Sequence, residues 1–173
     1  MKLAKKISQR CNCNSSSSVS GSFFNGTQHT FEEDPSVFYI SLHQYPFYPG
    51  TGRASETGIG RGQGATLNCP MPAGANDWNY RDAFEEKILP AIISYKPEVI
   101  LISAGFDAHA QDPLAQINLT TSFFGWMTGQ IIEMAGQFSG GRILSLLEGG
   151  YNLDVLPQCI ALHLRKLSGL AEK

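Results

Sequence analysis

Residues 99–109 read Val99-Ile-Leu-Ile-Ser-Ala-Gly-Phe-Asp107-Ala-His109. Val99 to Ser103 is a short, nearly continuous apolar run, the pattern of a strand buried on both faces. Polar groups follow it directly. The same grammar extends in both directions. Upstream, Val37 to Leu42 (Val-Phe-Tyr-Ile-Ser-Leu) is a second such run. Between the two, Tyr80 to Tyr95 carries Phe84, Ile88, Ala91/Ile92 and Tyr95 at helical spacing, with Asn79 as cap, Asp82 in the first turn, Pro90 as a bend and Pro97 as the stop. Downstream, Thr120 or Thr121 caps a helix with Phe124, Ile131, Ala135 and Phe138 on one face, and Gly140-Gly141 ends it. Ile143 to Leu147 is a third strand, closed by Gly149-Gly150. Leu153 to Leu167 is a last helix with Leu156, Ile160, Leu164 and Leu167 on its buried stripe. Apolar strands alternating with helices predict an α/β chain: a parallel sheet flanked by helices, joined by right-handed crossovers.

Ligands in such sheets bind beyond the carboxyl ends of the strands. Those ends carry Ser41-Leu42-His43, Gly105-Phe106-Asp107-Ala108-His109 and Glu148-Gly149-Gly150-Tyr151. A carboxylate at Asp107 can bind a metal, act as a base or cap the following turn, and Asp107-x-His109 is a weak metal signal. Two glycines before Tyr151 let the backbone turn sharply or approach a ligand closely. The phenol can then donate to a developing oxyanion, or simply pack over the next helix. The segment from His43 to Asn79 reads as one long loop, with aromatic residues at its start and glycines to Gly64. It either walls a substrate groove or packs on itself. Its glycines form no GxxxxGK[ST] phosphate loop.

Composition narrows the class. The chain has 173 residues, 42% hydrophobic, with 13 Lys+Arg against 15 Asp+Glu and a net charge of −2. That length supports one domain with a sizeable core. The charge balance argues against nucleic-acid binding, and no apolar run approaches the roughly 20 residues of a membrane span. Residues 1–22 differ from the rest: six of the eight residues from Ser15 to Ser22 are serine. They read as a disordered tail before a domain at 23–173. Cys11-x-Cys13 lacks the partners of a metal site, and four scattered cysteines do not make a disulfide framework, so the chain reads as reduced and cytoplasmic.

Taken together, six stretches resemble the zinc-dependent histone deacetylase family, including its bacterial amidohydrolase-like members. They are Asn25-Gly26-Thr27-Gln28, Asp34-Pro35-Ser36-Val37 with Tyr39-Ile40-Ser41-Leu42-His43, Tyr48-Pro49-Gly50-Thr51-Gly52, Ser103-Ala104-Gly105-Phe106-Asp107, Asp112-Pro113-Leu114, and Glu148-Gly149-Gly150-Tyr151. They run in the family's order. The resemblance implies the C-terminal half of an arginase–deacetylase fold. It implies Asp107 as a zinc ligand and Tyr151 as the transition-state tyrosine. It further implies Phe47, Tyr48 and Leu114 as tunnel walls, with Gly149 and Gly150 at the substrate, and Ser41 and Leu42 beside a monovalent cation such as potassium. The implied reaction is hydrolysis of an N-acetyl-lysine, or a related acetyl-amine, to acetate and free amine, with zinc polarising the amide and activating water.

The departures are as specific as the matches. In the family, Asp-x-His-His-Gly immediately precedes the Asn-Gly-Thr-Gln stretch and supplies the other two zinc ligands. Here Ser20 stands at the Asp position, Ser22 at the ligand His, and Phe23-Phe24 at the His-Gly. Serine does not replace imidazole or carboxylate on zinc. No His-His pair occurs. The expectation is a truncated or frame-shifted family fragment, inactive alone, or an acyl-lysine-binding or subunit-like piece. Part of the sheet would lack its cover, which predicts self-association through an exposed edge and apolar face.

Overall fold

The computed structural model describes residues 2–5, 23–47 and 50–170. In chain order the elements are β1 (Lys2–Lys5), α1 (Phe23–Phe31), β2 (Val37–Gln44), β3 (Thr66–Met71), α2 (Asp77–Ala83), α3 (Leu89–Tyr95), β4 (Ile100–Gly105), α4 (Thr121–Phe138), β5 (Ile143–Gly149) and α5 (Leu156–Ser168). Two sheets form, ordered β1-β2-β3 and β4-β5. The pairs β2–β3 and β4–β5 are parallel. The short β1 runs antiparallel to β2 and lies close to β4, so it sits where the two sheets meet.

That strand corrects the reading of residues 1–22 as wholly disordered: Lys2–Lys5 take their order from pairing with β2. Residues 6–22, with the serine tract, lie outside the described residues. The supposed loop from His43 to Asn79 also needs correction, because it contains β3. Pro70 masks this strand in the sequence, since proline is tolerated only at sheet edges. In this sheet β3 is such an edge, in register from Tyr39↔Thr66 to Gln44↔Met71.

The other elements match their sequence signals with shifted ends. The helix read from Tyr80 to Tyr95 begins earlier, because Asn76 is the cap. Its side chain accepts from the Trp78 amide while Asn79 reaches back to the Asn76 amide, a reciprocal capping box. A π-helical turn at Phe84–Ile88 separates α2 from α3 and lets Pro90 fall within the first turn of the second segment. Thr120 caps α4 through the Phe123 amide. Helix α5 starts at Leu156, three residues later than read from the stripe, with Pro157 in its first turn.

One apolar core joins both sheets to the helices. Ile40, Phe84, Ile88, Ile92, Ile100, Ile102 and Ile131 are almost fully buried within it. The partner pairs of β4 and β5 divide the sheet's faces. Ile100, Ile102 and Ala104 face inward, and Ser145 on that side bonds His163 of α5. Leu101, Leu144 and Leu146 are exposed, with Leu101 directly opposite Leu144. Among the described residues no helix is long and apolar enough to cross a membrane.

The same truncation at two isoleucines checks this division. Ile131→Ala, at 0% exposure on α4, should lower unfolding free energy by about 2–5 kcal/mol in urea titrations. Ile93→Ala, exposed on α3, should stay within about 0.5 kcal/mol of the parent chain.

Candidate active site

The carboxyl ends of β4 and β5 are built around a register shift. The strands pair from Ile100↔Ile143 to Ala104↔Leu147, after which Gly105 pairs with Gly149, leaving Glu148 as an extra residue on β5. The bulge sets two glycines opposite each other. Asp107 follows β4 and lays its carboxylate against both. A Cβ on Gly149 would stand 3.0 Å from the Asp107 carboxylate atoms, and one on Gly105 would stand 2.9 Å from Asp107 Oδ1. The Phe106 amide donates to the Gly149 carbonyl at 2.8 Å and closes this arrangement. At these two positions glycine serves space rather than backbone freedom, since neither residue has a positive φ.

Burial raises the Asp107 pKa above its ordinary range, and the nearby carboxylates of Asp112 and Glu148 push the same way. An acid held in an apolar pocket among other acids is energetically costly unless a cation or proton joins it.

Gly150 continues the strand end with φ +133°, a region that side-chain-bearing residues rarely adopt, and a Cβ there would stand 2.6 Å from Leu156 Cδ1 and 3.3 Å from Phe106 Cβ. The chain then delivers Tyr151 to the rim, half exposed. The Tyr151 amide donates to Asp112 Oδ2 at 2.7 Å, and the Leu114 amide donates to Asp112 Oδ1 at 3.0 Å.

A cavity of about 560 Å³ opens at this edge. Asp107, Tyr151, Phe47, Leu114, Ser41 and Leu42 all line it, together with Glu148 and His43. Phe47 and Leu114 are exposed apolar side chains on its wall. Gly149 and Gly150 do not line the cavity; they sit behind it, one against the Asp107 carboxylate and the other against Leu156. Tyr48 lies outside the described residues.

Ser41 is held in a short polar chain: its hydroxyl meets His43 Nδ1 at 3.0 Å, and His43 Nε2 meets the Gly52 carbonyl at 3.0 Å. Glu56 anchors the following loop by accepting from the Gly52 and Arg53 amides and from Gln28. At the inner end, Thr128 donates to the Phe124 carbonyl, so it accepts from His163 Nδ1, which leaves His163 Nε2 to accept from Ser145. Burial lowers the His163 pKa, consistent with a neutral ring in this network.

The donor set was tested against a zinc ion. Among the described residues no three His, Cys, Asp or Glu side chains cluster closely enough to hold a metal. The histidines are committed elsewhere. His43 and His163 engage both ring nitrogens as described, and His109 accepts from the Gln111 amide and meets Thr121. His29 is exposed and pairs with Glu32. Asp107 alone does not make a zinc site, which takes three protein ligands even when catalytic. The described residues therefore do not fit the metal.

The sequence motifs contain Asp112 and Glu148 without giving either a role of its own, and they do not include Glu56 or His163. For Asp112 a signal existed: Asp-Pro opens a turn in which the Asp side chain accepts the amide two residues on.

The site is a parallel α/β edge at which an acid, a rim tyrosine and apolar side chains line one cavity. Residues 24–167 match the histone deacetylase domain family, and the chain belongs to it. It is 48% identical over 145 residues to histone deacetylase 10, chloroplastic, of Oryza sativa subsp. japonica, covering 84% of this chain and 33% of that protein. It is 42% identical over 129 residues to a probable deacetylase of Archaeoglobus fulgidus, covering 75% of this chain and 36% of the other. The crystal structure of the HDA15 HD domain superposes with TM-score 0.78 at 40% identity, covering 86% of this chain and 42% of that one. The chain thus spans about a third of the length of the curated relatives it matches, and its fold is a partial arginase–deacetylase fold.

Two substitutions probe the acid's seat. Gly149→Ala forces a methyl against the carboxylate and should cost about 1–3 kcal/mol in urea unfolding. Asp107→Asn should act in the opposite sense. Because the folded chain binds the Asp107 proton more tightly than the unfolded chain, stability falls as pH rises from the ordinary value of 3.8 through the raised folded value. Asp107→Asn should remove that fall and leave the variant more stable than the parent at pH 7, as measured by denaturation midpoints across pH.

Proposed function

We propose that the cavity is the acyl-amine pocket of a deacetylase that hydrolyses N-acetyl-lysine, or a related acetyl-amine, to acetate and free amine, and that this chain supplies one side of it. The observation that carries this reading is the meeting of Asp107, Tyr151, Phe47 and Leu114 on one cavity in a chain of the histone deacetylase family. The extended alkyl chain of an acyl-lysine would lie between Phe47 and Leu114. Its amide oxygen would reach the Tyr151 phenol as a hydrogen-bond acceptor. Zinc remains part of the proposal for the whole site only, with its further ligands coming from outside the described residues. The monovalent-cation role of Ser41 and Leu42 belongs to the same reading.

The metal mismatch favours binding without turnover for this chain by itself. Titration with an N-acetyl-lysine peptide should give weak, saturable binding, weakened in Leu114→Ser by about tenfold through loss of apolar contact. Zinc added to the same chain should produce no hydrolysis above the uncatalysed rate. Absence of binding would overturn the pocket assignment. Turnover that falls about 10²-fold in Tyr151→Phe would instead make the chain a complete enzyme.

The bare face at Leu101, Leu144 and Leu146 supports self-association through that part of the sheet. Sedimentation should detect an oligomer that Leu146→Glu converts to monomer, and a monomeric parent chain would refute it. Cys69 and Cys159 are free, buried thiols, which supports a reducing compartment such as the cytoplasm.

A further inference from the structure

We infer that Asp112 is a positioning residue that couples the wall of the pocket to its tyrosine, so that Leu114 and Tyr151 are set by one carboxylate. The inference rests on the pocket reading above and adds a residue to it. Asp112 is only 8% exposed and has no role in the cavity lining. Its two oxygens are divided between two segments 39 residues apart. Oδ1 accepts the Leu114 amide at 3.0 Å, and Oδ2 accepts the Tyr151 amide at 2.7 Å.

Each segment has other ties at neighbouring residues: the Gln116 amide donates to Gln44 Oε1 at 2.9 Å, and the Leu156 amide donates to the Asn152 carbonyl at 2.9 Å. On the Leu114 side, the Asp112 amide donates to the His109 carbonyl at 2.8 Å, which closes the turn leading into Pro113. On the Tyr151 side, Gly150 holds a conformation open to glycine alone, and the chain beyond it needs an acceptor for the Tyr151 amide. A carboxylate meets both demands because it is acceptor-only at both oxygens, and charge-assisted bonds to backbone amides are stronger than neutral ones. Asparagine has the same shape but presents an NH₂ at one position, facing one of the two amide donors. The arrangement therefore requires a carboxylate: a donor facing either amide turns the side group away from it and loosens its hold on the other amide as well.

A neighbouring tie provides the control. Asn152 Nδ2 donates to the Gln111 carbonyl at 2.7 Å and joins the same two segments without touching either the Leu114 or the Tyr151 amide.

The test uses the full chain, with amide hydrogen exchange read residue by residue by NMR and N-acetyl-lysine methylamide as the ligand probe. In Asp112→Asn, the Leu114 and Tyr151 amides should both exchange about tenfold faster or more, while Ile102 and Ile131 keep their protection. Affinity for the probe should fall about fivefold, the loss of one net hydrogen bond of orientation. Asn152→Ala should leave Leu114 protection unchanged. If Asp112→Asn alters only one of the two amides, or neither, the coupling is refuted. If core protection falls in parallel with theirs, Asp112 is a general stability residue and the inference is equally refuted. If the parent chain fails to bind the probe, the pocket reading fails, and the exchange data still decide whether the carboxylate couples the two segments.

Discussion

Everything at the candidate site depends on the close approach of one carboxylate to two backbones. Asp107 occupies space that side chains at positions 105 and 149 would fill, and the register shift after Leu147 sets those two glycines opposite each other. Without the extra residue on β5, Glu148 would stand across from Gly105, and the acid would have no seat. The local bulge thus does what bulges commonly do at sheet ends: it redirects a strand terminus so that a functional group can be held there. The raised Asp107 pKa is the energetic counterpart of that geometry, since an anion walled by glycine backbone and apolar side chains has lost its water.

From that seat the remaining parts follow outward. Gly150 turns the chain, Tyr151 comes to the rim, and Asp112 gathers the Tyr151 and Leu114 amides on one side group. On the opposite wall, β2 carries Ser41 and Leu42 into the cavity, and the Ser41–His43–Gly52 chain fixes the start of the segment bearing Phe47. The cavity therefore has a defined apolar wall and a defined polar end. Among the described residues it is lined by two acids, Asp107 and Glu148, no three potential metal donors cluster, and every histidine near it already has hydrogen-bond partners.

The contrast with the relatives bears on stability as well as chemistry. A chain spanning about a third of their length keeps a joined core but exposes Leu101, Leu144 and Leu146 on the outer face of β4 and β5. An apolar sheet face of that kind is ordinarily covered by helices in α/β architectures.

Much of this fold was legible in the sequence. The apolar runs of β2, β4 and β5 came through as strands and the α4 stripe as a buried face, because local periodicity marks them. The α5 stripe did not hold, since Leu164 is exposed and Cys159 and His163 are the buried residues of that helix. The convergence of Ser41, Asp107 and Tyr151 at one edge followed from the rule that ligands bind beyond the carboxyl ends of parallel strands, while Leu114 was named only by the family resemblance. Residues with less local signal were missed. Strand β3 carries Pro70 and little alternation, and only pairing with β2 makes it a strand. Lys2–Lys5 likewise gain their conformation from β2. The sequence by itself determined which segments are buried and which residue types reach the active edge, because hydrophobic period and glycine placement act over a few residues. Tertiary structure alone decided the opposition of Gly105 and Gly149, the sharing of Asp112 between residues 114 and 151, and the commitment of the histidines to other partners. Each of these depends on atoms brought within 3 Å from distant parts of the chain, where no sequence period reaches.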